Sequence, residues 1–579
     1  MKPLRNTLAL VLSLLLLSGC VAEEPATAPP ELLVATTMPT NFLTVAADPD
    51  PVVNALLTSA ALFQRADLVV TAPAGDERAE LLAGSAAVGL GVPLLLTSAV
   101  GAPAASAVSA ELTRLQARYV LSVGGGLPLT STSAPTSTGQ PGRQPPARTR
   151  VTVPATADAV NAVLPEPLPV VTVDSAALAL SALAEMDPRA PTLLTLPPAP
   201  PAPPAPTAPT ATPAATPAAT PMKVPAPSPA TGSVPSTAGL VLAADDPAQL
   251  AGVATARAAS VAVLLVPGEQ PNPQASEDVV AALAAAAPTA IVALGLPFAG
   301  EPGLEYQMRA AVTGVQLPGG GQLLFPGRRF VALYGTPGAP VLGVLGEQPV
   351  QEAIARAEQM AATYQGLSDR PVVAMHEIIA TVAAADAGPD GNYSNEIPAE
   401  KLRPWVEAAG AAGLYVVLDL QPGRTDFLTQ ARQYASLLEL PYVGLALDPE
   451  WRLGPDQRHL VQIGSVDVAE INSVVSWLAE LTREAALPQK LLVLHQFRAS
   501  MIQNRAGLDT THPELALLLH VDGLGSQPDK QATWSALHRD APAGVAWGWK
   551  NFYDEDRPML TPAETMTRVS PIPELITYQ

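Results

Sequence analysis

The chain has 579 residues, a net charge of −20 and a single cysteine. The excess of acid and the scarcity of lysine argue against a nucleic-acid partner, which needs clustered Lys and Arg to neutralise phosphates. One cysteine excludes a disulfide framework and a cysteine-based zinc site. The length allows about two to four domains.

Lys2 and Arg5 precede an apolar run from Leu8 to Leu17. It spans about ten residues, where a bilayer-crossing helix needs about twenty, so residues 1–19 read as a secretory signal. The run ends in Leu17-Ser18-Gly19-Cys20, which resembles the lipobox of bacterial lipoproteins. That resemblance implies cleavage before Cys20, a diacylglyceryl thioether on its sulfur, and a lipid anchor on the extracytoplasmic face of the cell membrane. An unpaired thiol in an exported protein calls for such an explanation. An ordinary secretory signal with a chance cysteine is the alternative. Residues 20–36 read as a tether.

Residues 37–130 alternate helix and strand patterns: helix over Val52–Phe63, strand over Asp67–Ala72, helix over Ala79–Leu90, strand over Val92–Thr97, helix over Ala104–Leu115, strand over Tyr119–Val123. This order predicts a parallel α/β sheet. Residues 131–150 are rich in Ser, Thr, Pro and Gly and read as a linker. Residues 151–196 continue the sheet, with strands at Val170–Val173 and Thr192–Leu196. Residues 197–236 hold PPAPPAPPAPTAPTATPAATPAATP, which lacks backbone donors and predicts an extended, solvated spacer. Residues 237–325 repeat the alternation with strands Gly239–Ala243, Val261–Val266 and Ala290–Leu294.

The stretch "LFQRADLVVTAPAGDERAELLAGSAAVGLGVPLLLTSAV", closed by "SAELTRLQARYVLSVGG", resembles the cell wall-binding repeat type 2 of Gram-positive surface proteins. The resemblance covers about seventy residues, and Gly239–Gly295 is a weaker second copy. It implies parallel-sheet α/β modules of that repeat type and cell-wall polysaccharide as a partner; a generic flavodoxin-like sheet with no affinity for the wall is the alternative. The Arg-(Tyr/Trp)-Glu-Thr opening of that family is absent, so no polymer-binding residue is carried over.

Within residues 326–579, apolar strands recur with helices between them: Phe330–Tyr334, Val372–Ile378, Tyr415–Asp419, Val443–Asp448, Leu491–His495, Leu515–Val521 and Gly544–Trp549. Strands this apolar are buried on both faces, which predicts a (β/α)₈-type barrel, with a doubly wound sheet as the alternative. Function in such a barrel gathers at the C-terminal strand ends. Those ends carry His376 and Glu377, Asp419, Asp448 and Glu450, His495 and Gln496, Asp522, then Trp547, Trp549 and Lys550. Capping of helix N-termini is the competing role for the acidic ones.

Asp448-Pro449-Glu450-Trp451 is the sharpest motif. On an extended chain, residues i and i+2 face one side, so both carboxylates would face the mouth beside an aromatic ring. This resembles, in layout only, TIM-barrel glycosidases with D-x-E pairs at strand ends. It implies Glu450 as general acid, Asp448 tuning it, and Asp419 or Glu377 as nucleophile or base. Trp451, Trp547 and Trp549 would stack on sugar, with the two later tryptophans as core aromatics in the alternative. Lys550 and His495 would orient hydroxyls, and Gln496 and Asp522 would contact substrate. A cation on His376, Glu377, Asp419, Asp448 and His495 is the competing chemistry, but H-x-H and H-E-x-x-H spacings are missing. No metal or cofactor is expected.

Overall fold

The computed structural model describes residues 31–98, 102–125, 148–197, 222–230, 238–267 and 271–579. The expectations for Cys20, the signal segment and most of both linkers lie outside the described residues. Among the described residues, no helix is long and apolar enough to cross a membrane.

The expected α/β modules are present as two four-stranded parallel sheets. The first runs Leu94–Thr97, Leu68–Pro73, Tyr119–Val123, Thr149–Val153. Its inner strand Leu68–Pro73 is buried along nearly its whole length because helices such as Glu77–Leu90 cover it. The second runs Ala262–Val266, Gly239–Ala244, Ala290–Leu294, Leu43–Ala46. Its last strand comes from the start of the chain, so residues 37–130 are not a self-contained module. Phe42 and Leu43 pack on the apolar cluster of Leu242, Ile291 and Met308, which draws that strand across.

Helix Leu250–Ala258 of the second unit lies against Glu77–Leu90 of the first. A Cβ on Gly84 would stand 3.2 Å from that of Ala254, and Thr255 Oγ1 receives the Leu94 amide at 3.1 Å. The two units therefore share one core. Two further expectations change. Among the described residues, Val170–Thr172 and Leu193–Thr195 pair only with each other, and 151–196 extends the first sheet through Thr149–Val153. The described end of the Pro-rich spacer is packed rather than solvated: Val224 is buried and Pro227–Pro229 pairs with Leu32–Val34.

The barrel comprises eight parallel strands: β1 (Arg329–Gly335), β2 (Val372–Ala383), β3 (Tyr415–Leu420), β4 (Val443–Leu447), β5 (Lys490–His495), β6 (Leu515–Val521), β7 (Ala546–Asn551) and β8 (Leu575–Tyr578). β1 pairs with both β2 and β8, which closes the ring. The sequence pattern missed β8, whose four residues alternate polar Thr577 with apolar neighbours.

Residues alternate between the barrel interior and the helices outside. Inward-facing Phe330, Met375, Val417, Val493, Leu518 and Leu575 form an apolar plug, to which Leu317 and Leu324 are added from the preceding segment. Leu418, Leu445 and Leu494 face outward onto helices such as Val468–Glu484. Lys490 is buried at the start of β5, where its Nζ donates to Leu440 O (2.9 Å) and Val443 O (3.0 Å).

Candidate active site

Above the plug, the same alternation turns polar. Tyr334, Glu377, Asp419, His495, His520 and Thr577 come from six strands and are all buried. Glu377, Asp419 and His520 converge on His495, joined by Asp522 from the end of β6. Its Nε2 meets Glu377 Oε1 at 2.9 Å and Asp419 Oδ1 at 3.7 Å. Its Nδ1 lies 3.0 Å from Asp522 Oδ2 and 3.2 Å from His520 Nδ1. Tyr334 donates its hydroxyl to Asp419 Oδ2 at 2.8 Å, and Thr577 Oγ1 reaches His520 Nε2 at 3.1 Å.

Burial disfavours a charged His495, but Asp419, Glu377 and Asp522 outweigh it and hold the ring well above the usual histidine range, as an imidazolium. Burial and the neighbouring His495 charge push His520 well below that range, so it is neutral. Burial would raise Asp522 as well, yet its hydrogen bond to His495 and the His495 charge bring it below the ordinary aspartate value.

A cavity of about 380 Å³ opens above this layer. Tyr334, Asp448, Glu450, Trp451, Asp522 and Lys550 line it. Asp448 follows β4 and is raised well above the usual value, chiefly by burial, with Asp419, Asp522 and Glu450 adding to it. Its Oδ1 also accepts the Glu450 amide at 3.1 Å. Pro449–Trp451 is a 3₁₀ turn rather than extended chain, so the i, i+2 argument does not apply. The tight turn, capped by Asp448, carries Glu450 over the mouth instead. Burial and Asp522 push Glu450 up to about 7, against the pull of Lys550, His495 and Arg498. The half-buried Trp451 ring lines the cavity and meets His459 in an edge contact with ring centres 5.3 Å apart. Lys550 Nζ stands 3.4 Å from the Tyr334 ring centre.

Five of the sequence-predicted residues thus line the cavity: Asp448, Glu450, Trp451, Asp522 and Lys550. Glu377, Asp419 and His495 lie beneath it, engaged with one another. Gln496 faces elsewhere: it donates to Arg498 O at 3.1 Å and receives Arg505 Nη1 at 2.8 Å, which shapes the loop after β5. Trp547 and Trp549 project outside the barrel wall onto Trp534, with ring centres 5.8 and 5.6 Å away, and His538 stacks on Trp547 at 3.5 Å. Their position on β7 is odd relative to Lys550, so the alternation that points Lys550 inward turns both tryptophans out. His376 likewise faces outward toward Trp405. Sequence reasoning missed Tyr334 and His520. The same alternation offered them, since His520 precedes Asp522 by two residues on one face.

No family model matches this chain, and no curated protein matches it. Among solved structures, Cwp6 from Clostridium difficile is similar at a TM-score of 0.30 and 10% identity, over 73% of this chain and 65% of that one. CcCel6C, a glycoside hydrolase family 6 enzyme from Coprinopsis cinerea, is similar at a TM-score of 0.19 and 13% identity, over 48% of this chain and 69% of that one. The chain thus spans just under two thirds of Cwp6.

Proposed function

We propose that this chain is a cell-envelope protein, lipid-anchored through Cys20, whose N-terminal modules bind cell-wall polysaccharide and whose barrel hydrolyses an envelope glycan. One observation carries the hydrolytic reading. Two carboxyl groups lining one cavity are driven apart: Glu450 is raised to about 7 while Asp522 is held below its ordinary value. A protonated acid beside an ionised carboxylate is the pairing that glycosidic cleavage uses.

In this reading, Glu450 gives its proton to the glycosidic oxygen as the bond to the anomeric carbon breaks. The Asp522 carboxylate attacks that carbon or takes a proton from the attacking water. His495 keeps Asp522 ionised and oriented through the 3.0 Å contact. Asp448 fixes the turn that presents Glu450, and Trp451 offers its face to a sugar ring. Glu377 and Asp419, buried under the cavity, hold His495 in place rather than touch substrate.

The test is release of reducing ends from isolated cell-wall glycans by the whole protein. Release that fails in Glu450→Gln and Asp522→Asn supports the assignment. Equal release by both variants rejects it. Saturable binding of the glycan with no release by any form of the protein would assign the cavity to recognition alone. The anchor is tested by metabolic labelling with a clickable fatty acid, which must be lost in Cys20→Ala.

A further inference from the structure

Among the described residues, three lysines are buried in the barrel, and two of them are fully engaged. Lys490 Nζ donates to the Leu440 and Val443 carbonyls at 2.9 and 3.0 Å. Lys530 Nζ donates to Lys550 O and to Asp556 Oδ2, both at 2.7 Å. Lys550 is only 3% exposed, yet among the described residues its Nζ has neither a hydrogen-bond acceptor nor a carboxylate in ion-pair contact.

The surroundings of that ammonium are aromatic. Its Nζ stands 3.4 Å from the Tyr334 ring centre and 5.3 Å from that of Phe552. Both rings, like Lys550 itself, line the cavity. A ring face attracts a cation but offers its three N–H donors no oxygen. A buried charge without an acceptor is costly and calls for a partner, and here the open side is the cavity.

The carboxyl groups that share the cavity do not take up this charge. Asp522 is engaged with His495 at 3.0 Å. Asp448 and Glu450 are raised toward their neutral forms, chiefly by burial. A second cation flanks the mouth. Arg498 is exposed on the loop after β5, with its guanidinium 5.8 Å from the ring centre of Phe497, which lines the cavity. Among the described residues no carboxylate pairs with it, and both cations act on Glu450.

We propose that Lys550, with Arg498 at the rim, is a subsite for an anionic substituent, a carboxylate or a phosphate, on the sugar that enters the cavity, so that the substrate of the barrel is an acidic glycan. This rests on the hydrolytic reading and narrows its substrate class. An ammonium is a compact point charge with three donors and suits either oxyanion. A neutral sugar brings it only hydroxyls, which leave the charge unmatched.

The test follows release of reducing ends by the whole protein from isolated cell-wall glycans, either intact or with their carboxyl groups converted to methylamides by carbodiimide and methylamine. Inorganic phosphate is added as a competitor in a parallel series, with sodium chloride at equal ionic strength as its control. For a carboxylate substituent, amidation should lower the wild-type kcat/KM by about 10–100-fold, the weight of one charge-assisted hydrogen bond. For a phosphate substituent, amidation should change little and inorganic phosphate should inhibit competitively. Lys550→Met should lose whichever effect the wild type shows, and Lys550→Arg should keep it. Wild-type cleavage within about twofold on both glycans with no competition by phosphate, or an effect undiminished in Lys550→Met, overturns the subsite while hydrolysis stands. Release from neither glycan by the wild type removes the hydrolytic reading and the subsite with it. Should Lys550→Met lose its far-UV circular dichroism, the wild-type comparison decides.

Discussion

Gly548 is the residue on which the polar layer most visibly depends. It faces inward from β7, and a Cβ placed there would lie 2.3 Å from His520 Cδ2 and 3.0 Å from Leu518 Cδ2. Carbon atoms in contact stand about 3.5–4.0 Å apart, so Gly548→Ala forces the imidazole back by more than 1 Å. His520 cannot yield freely, because Thr577 and His495 hold its two nitrogens at 3.1 and 3.2 Å. Overpacking of this kind costs about 1–3 kcal/mol, and a weakened buried hydrogen bond adds about 1 kcal/mol. A total near 3 kcal/mol corresponds to a fall in barrel melting temperature of roughly 6–12 °C. Differential scanning calorimetry of the two proteins measures it. A melting temperature within about 2 °C of wild type would refute the claim that His520 is wedged against β7.

Trp547→Ala and Trp549→Ala should each destabilise the barrel by about 3–5 kcal/mol, as buried aromatics do, while leaving glycan affinity unchanged in the folded fraction; a selective loss of affinity would restore them to the mouth. Lys490 is lowered by burial from 10.5 to about 7. Its folded value lies below the unfolded one, so its contribution to stability is full above about 10.5 and is lost as the pH falls toward about 7. Lys490→Met should flatten the rise in stability between those values, seen in urea titrations at several pH values. Glu450 has the opposite sign. Its folded value exceeds the unfolded 4.5, so its contribution is full below about 4.5 and is lost as the pH rises through about 7. In Glu450→Gln this part of the pH dependence should disappear, and an unchanged profile would contradict the raised value.

Much of the fold was legible because periodicity survives burial. The strands Tyr119–Val123 and Ala290–Leu294 were delimited to the residue by their apolar runs. Seven barrel strands were recognisable for the same reason, whereas the four-residue β8 ends in Thr577-Tyr578 and offers too short a run. The crossing of Leu43–Ala46 into the second sheet is a long-range choice that local pattern cannot encode. At the site, the strand ends named the right neighbourhood. What they could not supply was depth. Glu377 and Asp448 both follow apolar runs, yet strand stagger buries one under the cavity and leaves the other lining it. Parity along β7 separated Lys550 from the two tryptophans, and counting inward from Asp522 would have added His520.

The central claim is that Glu450 delivers a proton to a glycosidic oxygen, and the pH dependence of cleavage tests it most directly. With a value of about 7, Glu450 is about half protonated at neutral pH. Glycan cleavage by the wild type should therefore fall on the alkaline side of about 7. Glu450→Gln should reduce kcat/KM by about 10²–10⁴-fold and abolish that limb. A variant that cleaves within about threefold of wild type, or a wild-type rate that keeps rising well above pH 8, lies outside what a general acid allows and would contradict the account.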